Sequence, residues 1–161
     1  MLGCGTIEPE PVNTQLPPPK NVELASPDIQ LLPFTTRLNK LAHVLDISVS
    51  DEMFDTLMQQ RFALGDHEYA RALRPDRRWS ARKMGIWIKG LLPICESSRF
   101  TELYPAVSTA PDTFILNAYG RNAEPVDRMV IEDTLKTMND DGNHDRTVCV
   151  AMLSSLEFVA Q

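Results

Sequence analysis

The scarcest side chains suited to acid–base, metal or thiol chemistry in this chain are three histidines and three cysteines, widely scattered among 161 residues. His43 follows the apolar face of the first predicted helix and is expected half-buried or at its rim. His67-Glu68 opens a short predicted helix, where surface exposure accounts for it. His144 sits among Asp140, Asp141, Asn143 and Asp145, a set of donors that invites a cation. The spacing Asp141-x-Asn143-x-Asp145 echoes the start of a calcium-binding loop. Such a loop then needs a glycine at its sharp turn and a bidentate glutamate at its end. Arg146 and Met152 occupy those positions here, so the expectation is a solvated turn and no metal site. The chain has no glycine-rich phosphate loop, no Gly-x-Ser-x-Gly and no His-Glu-x-x-His. No catalytic residue is nominated and no cofactor is implied. The expectation is a non-enzymatic protein; an enzyme with an unrecognised site is the alternative.

Charge marks a second kind of candidate. Arg71, Arg74, Arg77, Arg78, Arg82 and Lys83 cluster before the longest apolar helix, with Asp76 the only acid in that span. Trp79 stands among them as an interface anchor. From Glu124 to Asp145 the chain is mainly acidic. Such polarity can dock a protein partner or an anionic membrane surface. It can equally be spent on intramolecular ion pairs, each worth little at a surface. Nucleic acid is not an expected partner, because the formal net charge is -6 and binding phosphates requires an excess of cations.

The elements that must position these residues are helical. Residues 1–32 form an extended proline-rich arm: Pro9, Pro11, Pro17, Pro18, Pro19 and Pro27 fix φ and remove backbone donors. The triple proline favours a polyproline spacer. Residues 33–161 are long enough for one domain with a real core. Leu38, Leu41, Ala42 and Leu45 recur at i, i+3, i+4 and i+7. Ser50 is predicted to cap a second helix with Met53 or Phe54, Leu57, Met58 and Phe62 on its apolar stripe, stopping at Gly65. A short third helix is predicted from Asp66 to Leu73. Ser80 caps the most hydrophobic helix, with Met84, Trp87, Ile88, Leu91, Leu92 and Cys95; Pro93 is expected to kink or end it. A short helical piece spans Phe100 to Tyr104. Pro111 starts a helix that ends at Gly120, and Pro125 starts another carrying Val126, Met129, Val130, Leu135 and Met138. The last, from about Asp145, holds Val148, Cys149, Met152, Leu153, Leu156 and Phe158. No alternating β-branched runs joined by a tight turn occur, so the fold class is all-α, a compact domain of about six helices.

Two stretches carry a resemblance. Met1-Leu2-Gly3-Cys4-Gly5 resembles the end of a bacterial lipoprotein signal, in which a small residue precedes the cysteine that receives lipid. A lipid-bearing Cys4 followed by a proline-rich spacer would tether the domain to a membrane. The alternative is an ordinary N-terminus with an incidental cysteine. Farther on, Phe114-Ile115-Leu116-Asn117-Ala118-Tyr119-Gly120-Arg121, then Glu124-Pro125, then Leu153-Ser154-Ser155-Leu156-Glu157-Phe158, form a recurring pattern. It is similar to small helical domains of unknown function in exported bacterial proteins, some of which accompany c-type cytochromes in planctomycetes and myxobacteria. The residues also have structural readings. Gly120 permits a left-handed cap, Arg121 can bond helix-end carbonyls or pair with Glu157, and Phe158 plugs the core. The chain has no Cys-x-x-Cys-His, so covalent haem attachment is not encoded.

The resemblance implies an exported, lipid-anchored protein, periplasmic or associated with the outer membrane, that serves as a structural or accessory subunit with protein partners in an envelope assembly. An accessory subunit of an electron-transfer membrane complex is the alternative. Export would also let Cys95 and Cys149 form a disulfide around a loop of about fifty residues, stabilising by about 4 kcal/mol. The other reading is two buried, reduced cysteines acting as small hydrophobes.

Overall fold

The computed structural model describes residues 30–72, 74–137 and 142–160. Cys4, most of the proline-rich arm, and Asp140 and Asp141 of the acidic turn lie outside the described residues. Among those described, eight α-helices and two 3-10 turns form an all-α domain, with isolated β-bridges and no strand.

Helix α1 (Phe34–Leu45) buries Leu38, Leu41, Ala42 and Leu45, as their spacing requires. It ends where Asp46 turns left-handed at φ 51°. The next cap is Asp51 and not Ser50. The Asp51 Oδ1 accepts from the Met53 N–H at 2.9 Å, while the Ser50 hydroxyl is engaged with that of Ser48. A 3-10 turn (Glu52–Phe54) leads into α2 (Asp55–Gln59), which buries Phe54 and Leu57. Met58 and Phe62 are exposed, contrary to the predicted stripe, because the helix unwinds after Gln59 and the register is lost.

The predicted helix from Asp66 reduces to one 3-10 turn, Tyr69–Arg71, which ends where Ala72 takes a positive φ of 54°. A longer-range bond ties the flanks of this segment together. The Gly65 carbonyl accepts from the Asp76 N–H at 3.1 Å. Gly65 itself lies at φ +93°, and a Cβ there would strike the Asp76 carbonyl.

Helix α3 (Ala81–Cys95) is capped by Ser80, whose Oγ accepts from the Lys83 N–H at 3.2 Å. It buries Trp87, Gly90, Leu91, Ile94 and Cys95. Leu92 is exposed. Pro93 neither breaks nor ends α3; it lies in the last turn, so its missing donor costs one terminal hydrogen bond. Helix α4 (Ser98–Leu103) is capped by Ser97 and brings Phe100 against Tyr104 and Phe114, with ring centroids 5.3 and 5.5 Å apart. Helix α5 (Asp112–Tyr119) ends at Gly120, left-handed at φ 71°.

Helix α6 (Pro125–Thr137) packs on α7 (His144–Ser154), and Ser155 caps α8 (Leu156–Val159). The register of α6 differs from the predicted one. Ile131 is buried and Leu135 partly so, which turns Val126, Met129 and Val130 to the other side of the helix. Phe158 is fully buried, as predicted.

Helices α3 and α7 form the centre of the packing. The Trp87 Nε1–H donates to the Leu153 carbonyl at 3.0 Å, and Cys95 is joined to Cys149 with Cα atoms 5.8 Å apart. Residues 30–32 run extended between two segments. The Leu31 N–H bonds the Arg77 carbonyl and the Leu32 N–H bonds the Val159 carbonyl, each at 2.8 Å.

The disulfide spans 54 residues of sequence, and closing a loop of that size restricts the unfolded chain by about 4 kcal/mol. Reduction with a thiol should therefore lower the urea midpoint without loss of helical circular dichroism; an unchanged midpoint, or free thiols in the non-reduced peptide map, would refute the bridge. At Gly90 a Cβ would overlap the fully packed Leu57 side chain. Gly90→Val should cost about 1–3 kcal/mol, and adding Leu57→Ala should recover part of that cost in a double-mutant cycle.

Candidate interaction surfaces

The basic segment before α3 separates into inward and outward cations. Lys83 is buried, a correction to its expected place at an interface. Its Nζ donates to the carbonyls of Asp76 and Arg78 at 2.8 and 2.9 Å and pairs with the Asp76 carboxylate at 2.8 Å. The physical reason is that the carbonyls of Asp76 and Arg78 face the Lys83 ammonium, whose three donors satisfy them and the Asp76 carboxylate together. Arg77 is half-buried, and its Nε donates to the Leu31 carbonyl at 2.9 Å. Arg71 pairs with Glu68 at 3.2 Å but stays exposed. Arg74, Arg78 and Arg82 are exposed, as is Trp79 at 48%. Arg78 reaches Asp76 at 3.2 Å while 91% of its side chain stays in solvent.

A second surface lies where α6 meets α7 and α8. A cavity of about 230 Å³ is lined by Tyr119, Val130, Ile131, Val148, Met152 and Ser155. Asp127 and Glu157 also line it, and Arg121 joins these two carboxylates by two bidentate pairs, to Asp127 at 2.8 and 2.8 Å and to Glu157 at 2.7 and 3.0 Å. The pairing with Glu157 was legible in the sequence; Asp127, six residues along, had no signal of its own. These hydrogen bonds raise the Arg121 pKa, and the Arg121 guanidinium holds Asp127 below the usual carboxylate range. Asp127 also accepts from the Glu124 N–H at 2.7 Å, so one carboxylate both caps α6 and fixes the preceding loop. In the same lining the Tyr119 hydroxyl donates to the Met152 carbonyl at 2.9 Å, beside Ser155 Oγ at 3.1 Å. Burial pushes Tyr119 up to about 12. The phenol stays protonated at neutral pH and acts as a fixed donor that joins α5 to the α7–α8 corner.

The histidines are not gathered. His43 is exposed and not half-buried, because Ala42 and Val44 take the inward positions of α1. His67 is half-buried, with Nδ1 3.1 Å from Asp66. His144 opens α7 on the surface, and Asn143 Oδ1 caps that helix at Arg146 N–H, 3.1 Å away. Asp145 accepts from the Ser108 N–H at 2.8 Å, so its carboxylate ties a loop. Among the described residues no group of three potential ligands lies close enough to hold a metal ion, and no helix is long and apolar enough to cross a membrane.

The chain matches no protein-family model, no curated protein and no solved structure.

The Lys83–Asp76 contact gives a pH signature. The hydrogen bond from Lys83 lowers the Asp76 pKa from 3.8 to about 2. A carboxylate whose pKa is depressed by folding stabilises fully above its unfolded pKa and loses that contribution as pH falls through the folded one. Stability should therefore decline between about pH 4 and about pH 2. Asp76→Asn should lower stability at neutral pH and flatten that decline; urea titrations showing the same slope in both proteins would exclude the linkage.

Proposed function

We propose that this protein is a non-catalytic component of the bacterial cell envelope, exported and lipid-anchored through Cys4, that serves as a structural or accessory subunit of a larger assembly. The observation that supports the assembly role is the outer face of α6. Val126, Met129 and Val130 are exposed by 52%, 63% and 59% and stand at i, i+3 and i+4, so they form one apolar stripe. Single exposed apolar residues need no explanation, but a contiguous stripe on a helix beside a cavity is how helical surfaces engage partners. Val130 belongs to both the stripe and the cavity. The Arg121 clamp holds α6 in place against α8 through Asp127 and Glu157, so the face is presented rigidly. The membrane half of the proposal rests on the Met1-Leu2-Gly3-Cys4-Gly5 stretch and the proline-rich spacer that follows it.

The native protein should be recovered in the membrane fraction with an acyl mass on Cys4, and Cys4→Ser should release it. In mild detergent it should migrate well above the 18.1 kDa of one chain. Met129→Glu with Val130→Glu should collapse that species to the monomer. The same pair should change folding stability by less than about 0.5 kcal/mol, because both side chains are exposed. A soluble wild-type monomer with an unmodified Cys4 would refute the reading.

A further inference from the structure

The chain that precedes residue 30 joins the domain at one definite place. Gln30 forms a β-bridge with Arg78, and Leu31 is fully buried and bonded to Arg77. The point where the arm meets the domain is therefore the basic segment itself. Around it, Arg74, Arg78 and Arg82 point to solvent and Trp79 is half exposed. Neither Arg74 nor Arg82 has an ion-pair partner among the described residues. Asp76 is the nearest acid in sequence and is already held by Lys83 at 2.8 Å and by Arg78 at 3.2 Å.

This arrangement runs against the internal electrostatics of α3. Arg82 and Lys83 occupy its first turn, with no acid there, at the end where the helix dipole is positive. Cations at that end are disfavoured and acids are preferred. Arg74 and Arg82 thus carry unpaired positive charge near Arg78, which shares its one acid with Lys83, and near an exposed tryptophan, on a chain whose net charge is -6. An extended anionic surface supplies partners for Arg74 and Arg82 and a further one for the solvent-exposed Arg78. Tryptophan favours the headgroup level of a bilayer, and each arginine near an anionic leaflet adds to the attraction.

We infer that the exposed Arg74, Arg78, Trp79 and Arg82 together form a face that docks the domain on an anionic phospholipid surface, close to where Gln30 pairs with Arg78. This rests on the tethered reading above, because the tether supplies the membrane at short range. The two are separable by experiment. Cys4→Ser protein, which cannot be acylated, is mixed with vesicles of phosphatidylcholine containing about one-third phosphatidylglycerol, and with vesicles of phosphatidylcholine alone. It should sediment with the first and not the second, and added salt should release it. Arg74→Gln, Arg78→Gln and Arg82→Gln together should weaken partitioning about a hundredfold, at roughly a fivefold loss for each arginine. Trp79→Ala alone should weaken it by a smaller factor. Arg128→Gln with Lys136→Gln, on α6, should leave it unchanged, and thermal melts establish that each variant is folded.

Equal binding to both vesicles, or full binding by the triple variant, overturns the proposal. So does binding to polyglutamate with none to vesicles, which would assign the face to an acidic protein. Acylated Cys4 in the native protein with no vesicle binding by Cys4→Ser rejects the docking face and leaves the tether standing. Vesicle binding with an unmodified Cys4 rejects the tether instead.

Discussion

The structure depends on a buried arginine. Arg37 is 1% exposed, its Nε donates to the Leu32 carbonyl at 3.0 Å, and its Nη2 donates to the Leu64 carbonyl at 2.7 Å. Its guanidinium lies 4.9 Å from the Trp87 ring centroid and 5.9 Å from that of Phe34. Burial is costly for a cation and lowers its pKa to about 10, with Asp66 acting in the opposite direction. What the cation gains is connection. One planar group joins α1, the extended residues 30–32, the turn before Gly65 and α3. A lysine would not reproduce this, because a point charge cannot stack on two rings while donating in two fixed directions.

From that centre the order propagates outward through α3. Trp87, whose face meets Arg37, uses its indole N–H to hold the Leu153 carbonyl of α7. Farther along α3, Cys95 is bonded to Cys149 of the same partner helix. The two helices are thus fixed at two heights, and α6 can pack on α7 with little buried area of its own. That explains why α6 retains an exposed apolar stripe: its position comes from Ile131, Leu135 and the Arg121 clamp, which leaves Val126, Met129 and Val130 without a structural task.

Helical periodicity made the all-α class and most elements legible, and it placed Leu38, Trp87, Cys149 and Phe158 in the core. It failed where long-range bonds override local preference. The segment from Asp66 to Leu73 is predicted helical, yet Gly65 and Asp76 tie its flanks together, and among its described residues only Tyr69–Arg71 make a helical turn. On α6, five apolar residues fit more than one register, and only contact with α7 selects Ile131 as the inward one. Pro93 shows the converse: its effect depends on distance from the helix end, which sequence places only approximately. Arg37 carried no signal at all. Among apolar neighbours it reads as one more solvated charge, and its burial follows from carbonyls contributed by remote turns.

The cations around Asp76 show why charge clustering alone underdetermines function. Six basic residues within thirteen positions look equivalent in sequence. In the fold they divide by what their backbone neighbours leave unsatisfied. Lys83 and Arg77 are drawn to main-chain carbonyls and set the shape of the loop. Arg74, Arg78 and Arg82 meet no such demand and stay in water. The first group shapes the setting of the second, because Arg77 ties the loop to Leu31 and Lys83 ties it to α3 through the Asp76 and Arg78 carbonyls. A charge pattern becomes an interface only after the fold has consumed the members it needs.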